Sequence, residues 1–137
     1  MPDLGYTLIT LTKQLKTALN RALADHDVTV TQWALVAGLH RHSPQTAAEL
    51  VQALDIDKPT VSDVVRRLSA KGLITSRPKP GDRRAKLLAL TPAGEAAYGT
   101  CAAIADQVVE TFLTPLSLSQ REQLTALLAS LEGAPHD

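Results

Sequence analysis

Between Lys58 and Lys86 the chain carries nine basic and two acidic side chains, a net charge of +7 in under a quarter of its length. The flanks are acidic: residues 1–57 hold 4 basic and 6 acidic residues, residues 87–137 hold 1 and 6, and the 137 residues together have a formal net charge of zero. Cations gathered on one stretch are what phosphate neutralisation in nucleic acid requires, even where the whole chain is neutral. The same run could be a solvated surface, so what the stretch folds into decides its meaning. Within it, Arg66 suits a bidentate contact with guanine or a clamp on phosphate, and Thr60 and Ser62 suit phosphate or thymine. Lys58 and Arg67 add charge beside them. Asp63 repels phosphate, so it either accepts from a cytosine amino group or orients Arg66 one turn away, and the orienting role is favoured.

Other chemistries find little support. Asp, Glu, Ser and His are present, but no nucleophile elbow, phosphate loop or metal-spaced helix motif arranges them, so no enzyme is expected. The single cysteine, Cys101, excludes an internal disulfide framework and a multi-thiolate metal site within one chain. It reads as a small buried or half-buried helix residue. His40 and His42 are two apart, about 200° around a helix axis, and cannot chelate one metal from a regular helix. With His26 they could serve only a site between subunits; neither metal nor cofactor is expected.

The elements that must position the basic residues follow from periodicity. Hydrophobic residues make up 45% of the chain and aromatics only 3%, which suits an aliphatic core of packed helices. One folding unit spanning 1–137 is expected. Leu4, Leu8, Leu11, Leu15, Ala18 and Ala22 step by four and three through a long first helix ending near residues 25–27. Their heptad spacing serves either a core or an interface between helices. Thr31 is expected to cap a second helix carrying Trp33, Leu35, Val36 and Leu39, which stops before Ser43-Pro44. Thr46 and Glu49 form a capping-box pair before a short helix from Ala47 to Leu54.

Asp57 opens the next helix, where Pro59 is tolerated because the first turn needs no amide hydrogen. Val61, Val64, Val65 and Leu68 give it one buried face, and the polar residues named above stand opposite. Gly72 supplies a left-handed cap. Leu73 to Arg77 and Ala85 to Leu90 are extended runs about the turn-rich Pro78-Lys79-Pro80-Gly81-Asp82, predicting a hairpin with a basic tip. Thr91 and Pro92 start a fifth helix with Ile104, Val108, Val109, Phe112 and Leu113, ended by Pro115. Ser119 and Glu122 are expected to box the start of a sixth, with Leu124, Leu127, Leu128 and Leu131, closed by Gly133. The fold class is therefore mainly α with a small β-hairpin wing: six helices and a winged helix-turn-helix. No apolar stretch reaches membrane-spanning length and Asp3 interrupts the start, so a soluble, cytoplasmic protein is expected.

Across nearly its whole length the chain resembles the MarR family of transcription regulators. The carrying stretches are Val28-Thr29-Val30-Thr31-Gln32-Trp33-Ala34-Leu35, Lys58-Pro59-Thr60-Val61-Ser62 with Arg67-Leu68, Lys71-Gly72-Leu73-Ile74, and Gly81-Asp82-Arg83-Arg84 leading to Leu90-Thr91-Pro92-Ala93-Gly94. The resemblance implies that residues 28–91 form the DNA-binding part, while 1–27 and 92–137 supply dimerisation helices. It implies an interface role for Leu4, Leu8, Leu11, Leu15, Leu124, Leu128 and Leu131. It implies further that Asp82 braces the wing by ion pairing, that Arg84 enters the minor groove, and that Arg83 supports it on the backbone.

The expected partners are double-stranded DNA, a second copy of the chain, and a small lipophilic or phenolic effector; no membrane is expected. Trp33 either lines the effector pocket or, more simply, anchors the core. Relatives that sense peroxide place their cysteine in the first helix, whereas Cys101 falls in the fifth, with no activating cation or histidine expected beside it. Many members have a basic or neutral residue where Asp63 stands and an acidic one where Arg66 stands, so DNA sequence preference does not carry over. The competing reading is a winged-helix interaction scaffold that does not read DNA, for which Arg66 and Arg84 would be dispensable.

Overall fold

A computed structural model describes residues 3–133, so the outermost residues of the expected 1–137 unit lie outside the described residues. Its elements are α1 (Leu4–Ala24), α2 (Val30–Arg41), α3 (Ala47–Leu54), α4 (Lys58–Ala70), β1 (Ile74–Lys79), β2 (Asp82–Leu90), α5 (Pro92–Phe112) and α6 (Leu118–Glu132). Six helices and one antiparallel hairpin match the expected order.

Local hydrogen bonding explains most boundaries. The Thr46 hydroxyl accepts from the Glu49 amide at 3.1 Å while the Glu49 carboxylate accepts from the Thr46 amide at 3.3 Å, closing the capping box of α3. Asp57 caps α4, its Oδ1 accepting from the Thr60 amide at 2.8 Å. At the other end, Gly72 at φ 75° lets its amide reach Ser69 O and the Leu73 amide reach Leu68 O, both at 3.0 Å, which is a Schellman closure.

Two caps differ from expectation. Thr29, not Thr31, caps α2: its backbone is extended and its hydroxyl accepts from the Gln32 amide at 3.1 Å, placing Thr31 inside the first turn. Ser117 and Gln120, not Ser119 and Glu122, box the start of α6. In each case the earlier of two hydroxyl residues two positions apart stops the extended chain first, and the later one is already helical. Gly133 ends α6 with φ −79°, a right-handed rather than left-handed close.

The hairpin runs in register from Ile74 opposite Leu90 to Pro78 opposite Lys86, then shifts so that Lys79 faces Asp82. Pro80 and Gly81 make the turn, with Gly81 at φ 82°, the sign a type II turn demands of its third residue. A contact invisible to periodicity extends this sheet. Gln45 exchanges two backbone hydrogen bonds with Leu88, and its side-chain amide donates to Gly38 O at 3.0 Å and His42 O at 2.6 Å.

One cluster joins these parts: Leu35, Val36 and Leu39 of α2, Leu50 of α3, Val61, Val64 and Leu68 of α4, Ile74 of β1 and Leu88 of β2. Each three- or four-residue step predicted for α2 to α4 thus points inward at a shared centre. α1 packs mainly on α5, burying Leu19 and Leu23, while Cys101 and Ala105 are buried on α5. Among the described residues α6 buries none, and no helix is long and apolar enough to cross a membrane.

Candidate nucleic-acid interface

The core grips the valine face of α4, so the opposite face is turned out by the same geometry. Lys58, Ser62, Arg66 and Arg67 are exposed, and Thr60 and Asp63 are half-buried. The Asp63 carboxylate takes both arginines, accepting from Arg66 Nη2 at 2.5 Å and Arg67 Nε at 2.8 Å. These bonds, that to Arg67 foremost, hold the Asp63 carboxyl below the usual carboxylate range. The carboxylate therefore acts as a brace: it ties two long side chains against one turn of helix and leaves the remaining guanidinium donors facing outward.

Between α4 and the hairpin runs a cleft of about 510 Å³ lined by Lys58, Ser62, Lys79, Arg84 and Lys86, with the start of α3 at its floor. Its single acidic lining residue is Asp82. The role expected of Asp82 needs correction. Its carboxylate makes no ion pair among the described residues; Oδ1 accepts from the backbone amide of Arg84 at 3.0 Å. An Asx-type bond two residues ahead fixes the course of the strand just after the turn. The wing is braced through the backbone, and the side chains of Arg83 and Arg84 remain exposed at its tip.

The base of the wing is locked to α4. Thr91 donates from its hydroxyl to Gly72 O at 2.6 Å, accepts from the Gly94 amide at 3.0 Å, and gives its own amide to Leu73 O at 3.0 Å. A side chain on Gly94 would run into the Leu73 carbonyl, so this crossing admits only glycine. The end of α4 and the base of the hairpin are thereby tied into one edge carrying cations on two sides of a cleft.

The other singled-out residues fall elsewhere. Trp33 is half-buried, and its indole Nε1 is buried with no hydrogen-bond partner among the described residues. His40 stacks on Tyr98 with ring centroids 3.8 Å apart and meets Glu95 through Nδ1 at 2.9 Å, so it links α2 to α5. Cys101 is buried, and burial pushes its thiol up. Lys71 and His26 line the same cavity, and the lowering pull of Lys71 on the thiol is outweighed by burial. Periodicity places residues on faces but does not set loops against helices, so the approach of Lys71 to Cys101 is a product of tertiary packing.

On the proposed interface side, Leu4 (47%), Leu8 (50%) and Leu11 (41%) of α1 are exposed, as are Leu127 (65%), Leu128 (47%) and Leu131 (56%) of α6. Leu15 and Leu124 are half-buried.

A helix-turn-helix whose second helix and adjoining hairpin form one cationic edge defines a winged-helix DNA-binding module. The sequence profile of the MarR family matches residues 26–85. The HTH-type transcriptional repressor NicR of Pseudomonas putida is 32% identical over 107 residues, 78% of this chain and 68% of NicR. Among solved structures, Bordetella bronchiseptica BpsR, whose DNA binding is regulated by 6-hydroxynicotinic acid, has 26% identity and a TM-score of 0.81, covering 96% of this chain and 94% of BpsR. The Staphylococcus aureus MepR–DNA complex has 27% identity and a TM-score of 0.78, over 93% and 95% of the two chains. The chain belongs to the MarR family of winged helix-turn-helix transcription regulators.

Proposed function

We propose that this regulator is a homodimeric, effector-responsive repressor that binds a pseudo-palindromic operator. The observation that carries the reading is the cationic cleft between α4 and the wing, in which Lys58, Lys79, Arg84 and Lys86 flank the outward face of the helix. α4 fits the major groove, with Arg66 braced by Asp63 for a base or phosphate contact and Thr60 and Ser62 near the backbone. Arg67 shares the Asp63 brace and lies to the phosphate side. Arg84 enters the neighbouring minor groove from the wing, with Arg83 on its backbone. The family repressor NicR and the DNA-bound relative MepR support this assignment.

The exposed leucines of α1 and α6 supply the dimer interface, which sets two such edges about one helical turn, roughly 34 Å, apart on DNA. Residues 28–91 then form the DNA-reading part, and 1–27 with 92–137 the dimerisation part, of a protein working in the cytoplasm. A small aromatic effector, of the kind that regulates BpsR, releases the operator by favouring a dimer with mismatched spacing, which requires different affinities for the two states. The unpartnered indole of Trp33 is a candidate effector contact.

The test is a binding titration against the upstream intergenic DNA and a scrambled duplex at several salt concentrations. Selective binding with a steep salt slope is expected. Arg84→Ala should weaken binding to all duplexes and lower the slope by about 1, whereas Arg66→Ala should cost about 1–3 kcal/mol and relax sequence preference. Weak, unselective binding indifferent to both substitutions would instead identify a protein-interaction scaffold.

A further inference from the structure

Asp63 is the only carboxylate on α4, set with Lys58, Arg66 and Arg67 away from the valine face that the core grips. Its side chain is 45% exposed, and those of Arg66 and Arg67 are 70% and 57% exposed, so the three charges meet in contact with solvent. Surface pairs at three- and four-residue spacing stabilise a helix only slightly, and α4 already has its cap at Asp57 and its buried face. On a DNA-facing surface, moreover, a carboxylate opposes binding, because it repels every phosphate it approaches. Its presence there is explained by what it does to the arginines.

The two carboxylate oxygens are divided between them. Oδ2 accepts from Arg67 Nε at 2.8 Å, which pins the carboxylate, and Oδ1 accepts from Arg66 Nη2 at 2.5 Å. A guanidinium has five N–H donors and uses one on Asp63, so each arginine keeps four for DNA. Two kinds of acceptor compete for those of Arg66. A phosphate lies on the wall of the groove, and reaching it swings Arg66 off Asp63, which leaves a bare carboxylate among phosphates. A guanine edge lies on the floor of the groove ahead of the helix, where Arg66 offers two donors to O6 and N7 while still held by Asp63. Binding at arbitrary sequence therefore breaks the brace, binding at the right guanine keeps it, and the repulsion falls on wrong sequences.

We infer that Asp63 sets the sequence selectivity of this protein: it withholds Arg66 from phosphate, reserves it for a guanine in the major groove, and lowers affinity for DNA of arbitrary sequence. The inference rests on the DNA-reading role proposed for α4 and specifies the base that Arg66 takes. Asp63 acts through Arg66 and is a positioning residue. Removing its charge should strengthen binding to arbitrary DNA and weaken discrimination together, a combination that neither a damaged fold nor a lost DNA contact produces.

The probe is the duplex that the full chain selects most strongly from a randomised pool, with a scrambled duplex of the same composition beside it. Fluorescence anisotropy at several salt concentrations reads both affinities. Asp63→Asn keeps the size of the side chain and removes its charge. It should bind the scrambled duplex about three- to tenfold more tightly, with a salt slope steeper by about 1, and the ratio of selected to scrambled affinity should fall at least about fivefold. Replacing the guanines of the selected duplex one at a time by 7-deazaguanine removes N7 alone. At one guanine per half-site this should weaken the parent about fivefold or more, and should leave Asp63→Asn and Arg66→Ala nearly indifferent. Circular dichroism melts establish that each variant is folded. The inference is overturned if Asp63→Asn keeps the affinity ratio within about twofold of the parent, if it weakens both duplexes alike, or if no 7-deazaguanine affects the parent. A parent with no preference between duplexes loses the operator-binding regulator and this role together, whereas a selective parent whose preference ignores Asp63 keeps the regulator and loses only the role of Asp63.

Discussion

Gly94 shows how much can rest on a missing side chain. It lies where the start of α5 crosses the link between α4 and β1, and a Cβ there would meet the Leu73 carbonyl oxygen and crowd Leu90 Cβ at 3.2 Å. Because backbone cannot step aside as a flexible side chain does, Gly94→Ala should destabilise the fold by about 1–3 kcal/mol, the range for overpacking. A thermal melt of the variant checks this; an unchanged melting temperature would mean the crossing relaxes freely. Asp63 is the opposite case, a residue whose presence beside two arginines looked out of place among phosphate-binding groups. The sequence left two roles open for it, and the paired bonds to Arg66 and Arg67 supply the orienting one. Asp82 was legible as a wing residue but not in its mode of action, since a two-residue backbone bond and an ion pair are consistent with the same spacing.

At the scale of elements, α4 is stabilised at both its start and its middle by carboxylates that must be ionised. Asp57 is held below the ordinary carboxylate value by the Thr60 amide and then hydroxyl, and Asp63 by Arg67 and then Arg66. A group whose folded value is depressed contributes stability that is present above its unfolded value and lost as pH falls through the folded one. Stability should therefore be flat near neutrality and fall below about pH 4 as both carboxylates protonate. Asparagine caps a helix about as well as aspartate without titrating, so Asp57→Asn should leave neutral stability nearly intact and flatten the acid slope. Urea unfolding followed between about pH 5 and pH 2 measures it; a variant with the parent's acid slope would assign the acid loss elsewhere. The caps of α2 and α6 carry a plainer lesson. Thr29 stands two residues before the expected cap at Thr31, and Ser117 with Gln120 has the same spacing as the expected box at Ser119 and Glu122, so each signal was present twice and the earlier copy prevailed.

For the whole molecule, the unburied leucines of α1 and α6 are the main unfinished feature. Exposed apolar area of this extent, arranged on two helices, is characteristic of an interface between subunits. Replacing Leu8 and Leu128 together by glutamate should convert the proposed dimer to monomer, because it would bury uncompensated charge in the proposed interface. Sedimentation equilibrium reads the mass, and the same double variant should lose operator affinity steeply, since each half-site alone holds only half the phosphate contacts. A double variant that remains dimeric would place the interface on other surfaces.

Sequence alone determined the element order, the buried face of α4, the hairpin and the basic edge, because each depends on spacing along a few turns or on residues with restricted dihedrals. Leu68 faces inward by its step from Val61 and Val64, and Gly72 and Gly81 mark positive φ wherever the chain goes next. Tertiary structure decided what meets across the chain. It brought Gln45 to Leu88, His40 to Tyr98, and Lys71 from the end of α4 to Asp27 and Gln32. Those contacts join residues dozens of positions apart, and their formation depends on how helices pack in three dimensions, which no local period encodes.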